Sequence, residues 1–78
     1  MIVEIITPEK KLFKGESTMI RVPGTKGSFQ ILNSHAPIVS TLAKGTIIVR
    51  KSDNEEVSFE INSGLVECKN NKIIILVE

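Results

Sequence analysis

Turn-forming residues punctuate this chain at intervals too short for helices: Pro8, Gly15, Pro23-Gly24, Gly27, Asn33-Ser34, Pro37, Gly45, Ser52-Asp53-Asn54, Asn62-Ser63-Gly64 and Asn70-Asn71. No stretch of ten or more residues keeps a helical period. The apolar residues between the turns are twelve Ile and seven Val against five Leu, two Ala and two Met. Branching at Cβ stiffens χ1 and favours pleated surfaces over helices. Nine short runs result, at Ile2–Thr7, Leu12–Glu16, Thr18–Val22, Ser28–Leu32, Ile38–Leu42, Thr46–Lys51, Glu56–Ile61, Leu65–Lys69 and Lys72–Val77. Their spacing is that of a sandwich or barrel. The expected fold is all-β: a flattened antiparallel β-sandwich of about nine to ten short strands in two sheets, occupying residues 1–78 as one domain. Asn70-Asn71 fits a two-residue hairpin, because asparagine tolerates the positive φ that a type I′ turn needs twice. Asp53-Asn54 suits a slightly longer loop.

Alternation fails selectively. Val57-Ser58-Phe59-Glu60-Ile61 alternates cleanly, as does Thr18-Met19-Ile20-Arg21-Val22 with Met19 placed towards solvent. Ile73–Val77, Ile47-Ile48-Val49 and Ile2-Val3…Ile5-Ile6 are apolar on both faces. A partner sheet covers only the inner face. The outer one is either scattered surface apolarity, which is ordinary, or a docking patch for another protein.

Charge and cysteine content exclude several classes. Ten basic and nine acidic residues are interspersed, and the longest like-charge runs are pairs. That argues against a nucleic-acid stripe or a polybasic membrane anchor. One cysteine cannot staple the fold or build a zinc site, and a reducing compartment is the natural reading. No apolar run approaches the ~18 residues that span a bilayer, and no secretory signal precedes the first strand. The expectation is a cytosolic protein, or one that docks from the cytosol without membrane insertion.

Catalytic chemistry is not readable either. His35 is the only histidine, and Asn33, Ser34 and Ala36 give it no nucleophile or orienting partner. Cys68 lies in a strand pattern beside Val66 and reads as a small core residue. Pro23-Gly24-Thr25-Lys26-Gly27-Ser28 mimics a phosphate loop, but a β run follows where a phosphate cradle needs a helix. Gly24 and Gly27 are instead expected to be turn residues at positive φ. Pro37 biases Ala36 towards extended backbone, while Asn33 and Ser34 can bond their own backbone. His35 then sits at the lip of a rigid corner, serving either as a plain corner or as a presentation surface for a partner.

Thr7-Pro8-Glu9-Lys10, Phe13-x-Gly15-Glu16, Val22-Pro23-Gly24-x-x-Gly27-x-Phe29, His35-Ala36-Pro37, Gly45-x-Ile47, Ser63-Gly64-Leu65-Val66-Glu67 and Val77-Glu78 together resemble the amino-terminal domain of epsilon subunits of bacterial F-type ATP synthases. The order covers nearly the whole chain. It departs from the family where many members have Gly at Gln30, Pro at Asn33, Gly at Ser63 and Phe at Leu65. The resemblance implies a flattened sandwich of two five-stranded sheets and a non-catalytic rotor part with no active site and no cofactor. Such a subunit links the gamma subunit of the central stalk to the membrane c ring, and so couples proton flow to ATP synthesis. It would lie peripherally on the cytoplasmic face of the bacterial inner membrane, with no nucleic-acid or small-molecule ligand. His35, Ala36, Pro37, Ile38 and Val39 would contact gamma, at the margin of an apolar face formed by the double-sided strands. Thr25, Lys26 and Ser28 would face the polar loops of the c ring. Family members commonly continue into a helical hairpin that can inhibit hydrolysis; this chain stops at Glu78, so the expectation is that it lacks those helices. The rival readings are a free-standing β-sandwich interaction module with unrelated partners, and a half-closed barrel that holds a ligand.

Overall fold

The computed structural model describes residues 1–78 and contains eight strands and no helix: β1 (Ile2–Ile6), β2 (Lys11–Val22), β3 (Phe29–Leu32), β4 (Ile38–Leu42), β5 (Gly45–Lys51), β6 (Glu56–Ile61), β7 (Gly64–Lys69) and β8 (Lys72–Val77). The count is eight and not nine because Leu12–Glu16 and Thr18–Val22 are one twelve-residue strand. Its first half pairs with β1. After a register shift between Ser17 and Met19 its second half pairs with β3 and β5. A bulge lets one strand turn out of one sheet and into another. Sheet A therefore runs β4-β7-β8-β1-β2 and sheet B runs β3-β2-β5-β6, joined along β2 into a curled sandwich. The segments number five and four, one short of the family's five and five.

Every pairing is antiparallel except β1 with β8, the first and last strands, which are parallel from Ile2↔Lys72 to Ile6↔Leu76. Parallel neighbours cannot be joined by a hairpin. Here the whole intervening chain makes the connection, which places both ends of the sequence in the middle of sheet A.

The core fills the space between the sheets. Val3, Ile5, Val66, Ile73 and Ile75 of sheet A meet Ile20, Val22, Ile31, Ile47 and Val49 of sheet B, all fully buried. Phe13 and Phe59 close one side edge-on, ring centres 6.0 Å apart. Met19, expected at the surface, is buried instead. It is paired with Leu32 and Arg50 on the strands either side, and lies outside the main core cluster.

The turns follow their local chemistry with two exceptions. Asn70 and Asn71 have φ of 53° and 61°, and Asn54 has 70°, as the hairpins demand. Asp53 accepts the Glu55 N–H at 3.0 Å, which holds its carboxyl below the usual range. Gly27 takes φ of 126°, but Gly24 is not at positive φ. Gly24 is required for space: a Cβ there would lie 2.7 Å from the Gly27 carbonyl oxygen and 2.8 Å from the Phe29 ring. The second exception is Asn33, whose side-chain oxygen accepts from the Met1 ammonium at 2.9 Å and not from its own backbone.

Candidate functional site

The loops gather at two opposite ends of the sandwich. At one end lie Met1, the Asn33–Pro37 corner, the 52–55 loop and the Asn70-Asn71 turn. At the other lie residues 7–10, 23–28, 43–45 and 62–64. β4 bridges them, and five residues span about 17 Å. His35, Ala36 and Pro37 thus sit at the first end, and Thr25, Lys26 and Ser28 at the second, while Ile38 and Val39 run along β4 between the two.

Each group has a physical anchor. His35 is exposed, and its Nδ1–H donates to the Ala36 carbonyl oxygen at 2.7 Å, which orients the ring. The corner before it is pinned from outside: the Ser34 N–H donates to Asn71 Oδ1 at 2.9 Å. At the other end the Thr25 N–H donates to the Thr41 carbonyl at 3.1 Å, and the two threonine hydroxyls share a hydrogen bond of 2.9 Å. A bridge between Gly24 and Leu42 completes the attachment of the loop to β4. A cleft of about 640 Å³ follows, lined by the Gly24–Phe29 loop together with Val39, Ser40, Thr41 and Leu65. Val39, expected with the His35 corner, is therefore shared with the loop at the opposite end.

The outer face of sheet A carries the apolar surface. Thr41↔Leu65, Leu65↔Leu76 and Leu76↔Ile6 form one cross-strand row. Ile74 lies two residues from Leu76 on the same face, and Val39 two residues from Thr41. Val39 is 64 % exposed, Leu76 50 % and Leu65 37 %. A second hollow of about 780 Å³ opens over Ile6, Pro8, Leu65 and Leu76. The patch is bordered by Glu4, which stands among Lys14, Lys11 and Lys72 at 3.7, 3.9 and 4.0 Å. Ile48 is not part of it. Its neighbours are Arg21 and Ser58, on the outer face of sheet B. The two double-sided runs therefore do not form one surface, because strand pairing sends them to opposite sheets.

Cys68 is buried in β7 and burial pushes its thiol up from the ordinary 9.0, the reverse of what a nucleophile needs. His35, by contrast, is exposed. No three His, Cys, Asp or Glu side chains converge as metal ligands, and no helix is long and apolar enough to cross a membrane. Sequence reasoning missed the Met1 ammonium and Asn71 as anchors of the His35 corner. Both act across distances in sequence that carry no local signal.

Residues 1–78 match the family model described as the ATP synthase delta/epsilon chain β-sandwich domain. The chain is 42% identical over 76 residues to the ATP synthase epsilon chain of Chlorobium limicola, covering 97% of this chain and 86% of that one. It is 45% identical over 76 residues to that of Leptospira interrogans serovar copenhageni, but spans only 59% of its length. Among solved structures it superposes on a chain of the Tetrahymena thermophila mitochondrial ATP synthase central stalk and c ring with a TM-score of 0.80 at 25% identity, covering 99% of this chain and 62% of that chain. A chain of the Euglena gracilis mitochondrial ATP synthase gives a TM-score of 0.92 at 19% identity, covering 99% and 49%, a likeness of fold. Eight strands in this order, joined along β2 and matched from the first residue to the last, place the chain in the ATP synthase delta/epsilon family, among the bacterial epsilon chains.

Proposed function

We propose that this chain is a non-catalytic rotor subunit of an F-type ATP synthase, joining the gamma subunit of the central stalk to the membrane c ring at the cytoplasmic face of the bacterial membrane. The observation that carries the reading is the separation of two unlike surfaces on one rigid sandwich. An apolar patch of Leu65, Leu76, Ile74 and Ile6 lies on sheet A with β4 at its margin, and a polar loop of Thr25, Lys26 and Ser28 projects at one end. A part that transmits torque between two partners needs both surfaces and little internal give. Gamma docks on the apolar patch and along Ile38-Val39 towards His35, Ala36 and Pro37. The c ring meets the polar loop through a small, salt-sensitive contact. Coupling is mechanical, through packed interfaces, and the chain itself carries no chemistry.

The patch is tested by binding to purified gamma. Leu76→Lys leaves the domain folded, because the side chain points outward, and weakens gamma binding by about 2 kcal/mol or more, roughly 30-fold, through a charge buried between Leu65 and Ile6 without a partner. Ser58→Lys, on the outer face of sheet B, leaves it unchanged. Unaltered binding with Leu76→Lys places the gamma surface elsewhere. Thr25→Cys and Ser28→Cys crosslink to cysteines in the c-ring polar loop of the assembled enzyme; crosslinks only to the stator overturn the orientation.

A further inference from the structure

Glu4 is the one partly buried carboxylate on the outer face of sheet A, its side chain 13 % exposed. Three lysines surround it and none is hydrogen-bonded to it. The Nζ atoms of Lys14, Lys11 and Lys72 stand at 3.7, 3.9 and 4.0 Å, whereas a bonded ammonium sits about 2.7–2.9 Å from its carboxylate. The three lysine side chains are about half exposed, so each keeps N–H donors open to a second anion. One carboxylate among three ammonium groups leaves a local excess of positive charge. Three strands build the cluster: Glu4 lies on β1, Lys14 directly opposite on β2, and Lys72 on β8 opposite Ile2. It abuts the apolar patch, because Glu4 is paired with Ile74, and Ile6, two residues on, with Leu76.

We propose that Lys11, Lys14 and Lys72 receive an acidic side chain of gamma at the rim of the apolar patch. This rests on the gamma docking proposed above and adds the chemistry of the partner. An apolar contact ringed by charged groups is the usual anatomy of a protein interface. Docking of the patch expels water from its rim, which strengthens the attraction between the ammonium groups and an incoming carboxylate. The same excess charge steers the partner before contact. Glu4 offsets the mutual repulsion of the three ammonium groups and so keeps them gathered. The rest of the face argues for a protein and against a lipid surface. Lys69 lies beside Lys72, but Glu67 and Glu16 stand opposite Ile74 and Ile2. An anionic membrane attracts clusters of about four to eight basic residues and would be repelled by the interspersed glutamates. A protein can match each sign in turn.

The test is association of the full chain with purified gamma, followed by stopped flow across a range of salt. At ~0.01 M salt, where screening reaches only beyond about 30 Å, Lys14→Gln and Lys72→Gln each slow association about threefold. Glu4→Gln, which removes the central negative charge, speeds it by about the same factor. Arg21→Gln, the same loss of charge on the outer face of sheet B, stays within about 1.5-fold. At ~1 M salt, with a screening length of about 3 Å, the variants converge on the unaltered protein. Lys14→Glu is rescued when one of gamma's acidic residues is replaced by Lys. If the lysines serve only to hold Glu4, none of the variants changes the rate and the proposal falls. Loss of binding in Leu76→Lys beside unchanged rates in the lysine variants overturns the acidic contact and leaves gamma docking in place; no loss in any variant overturns both. Faster association of Lys14→Gln would assign a basic partner. A salt-sensitive dimer of the chain alone, or retention on phosphatidylglycerol vesicles, abolished in either case by Lys14→Glu, gives the cluster to another occupant and equally overturns the assignment.

Discussion

Asn71 does three jobs with one residue. Its backbone takes φ of 61° in the turn, its carbonyl accepts the Ile2 N–H, and its side chain accepts the Ser34 N–H. Asn71→Gly loses the side-chain bond but also removes the Cβ from the left-handed region, whereas Asn71→Ala loses the bond and keeps a Cβ there without asparagine's tolerance of that region. The expected losses are about 0.5–1 kcal/mol for Gly and about 2 kcal/mol for Ala, read from urea denaturation midpoints. Equal losses for the two would remove backbone strain from the account. The first of the three jobs was legible in the sequence, because a pair of asparagines between two apolar runs is a local signal. The other two were not, since Ser34 lies 37 positions away. Asn33 shows the same limit: its type suggests a self-bonded turn, yet its partner is the ammonium 32 positions earlier. Gly24 shows another, because a glycine kept for space and one kept for φ look alike until the Phe29 ring is in place.

Within a strand, adjacent residues have opposite environments, and β8 is the clearest case. Ile75 is fully buried between the sheets while Ile74 is only partly buried on the outer face of sheet A. Ile75→Ala is expected to destabilise by about 2–5 kcal/mol through a cavity that the sandwich cannot collapse. Ile74→Ala should cost under about 1 kcal/mol in the isolated protein. Thermal or urea unfolding decides it, and similar losses at both positions would mean that the outer face is packed after all. Run lengths, turn positions and the breakdown of alternation gave the strands and identified β5 and β8 as apolar on both sides. Which sheet each outer face belongs to depends on long-range pairing, so Ile48 and Ile74 could not be told apart. The fusion of two runs into β2 was hidden for a related reason. Gly15, inside the strand, reads as a break, and Ser17 reads as polar surface although it is buried at the bulge.

At the scale of the molecule, 27 × 24 × 18 Å across its principal axes, the proposed coupling role makes the chain a spacer with two docking surfaces. Calorimetry of the pure chain with Mg-ATP should give no saturable heat at micromolar concentrations, and adding it to the catalytic complex should leave ATP hydrolysis without strong inhibition. Micromolar binding or strong inhibition would place a regulatory function in the sandwich itself. The parallel pairing of β1 with β8 has a further consequence, and it lies in time. A ribosome adds about 5–20 residues per second, so β1 emerges seconds before the only strand that can lie beside it in sheet A opposite β2. Until Lys72–Val77 has been made, Val3 and Ile5 sit on an open strand edge, and β7, whose other neighbour is β4, has nothing to join it to β1. Sheet B can close once β6 has been made, through the β2–β3 and β5–β6 hairpins and the longer-range β2–β5 pairing, but sheet A waits for β8. Such an open, apolar edge invites pairing with other chains, and the interval before residue 77 arrives is when this protein most needs shielding in the cell.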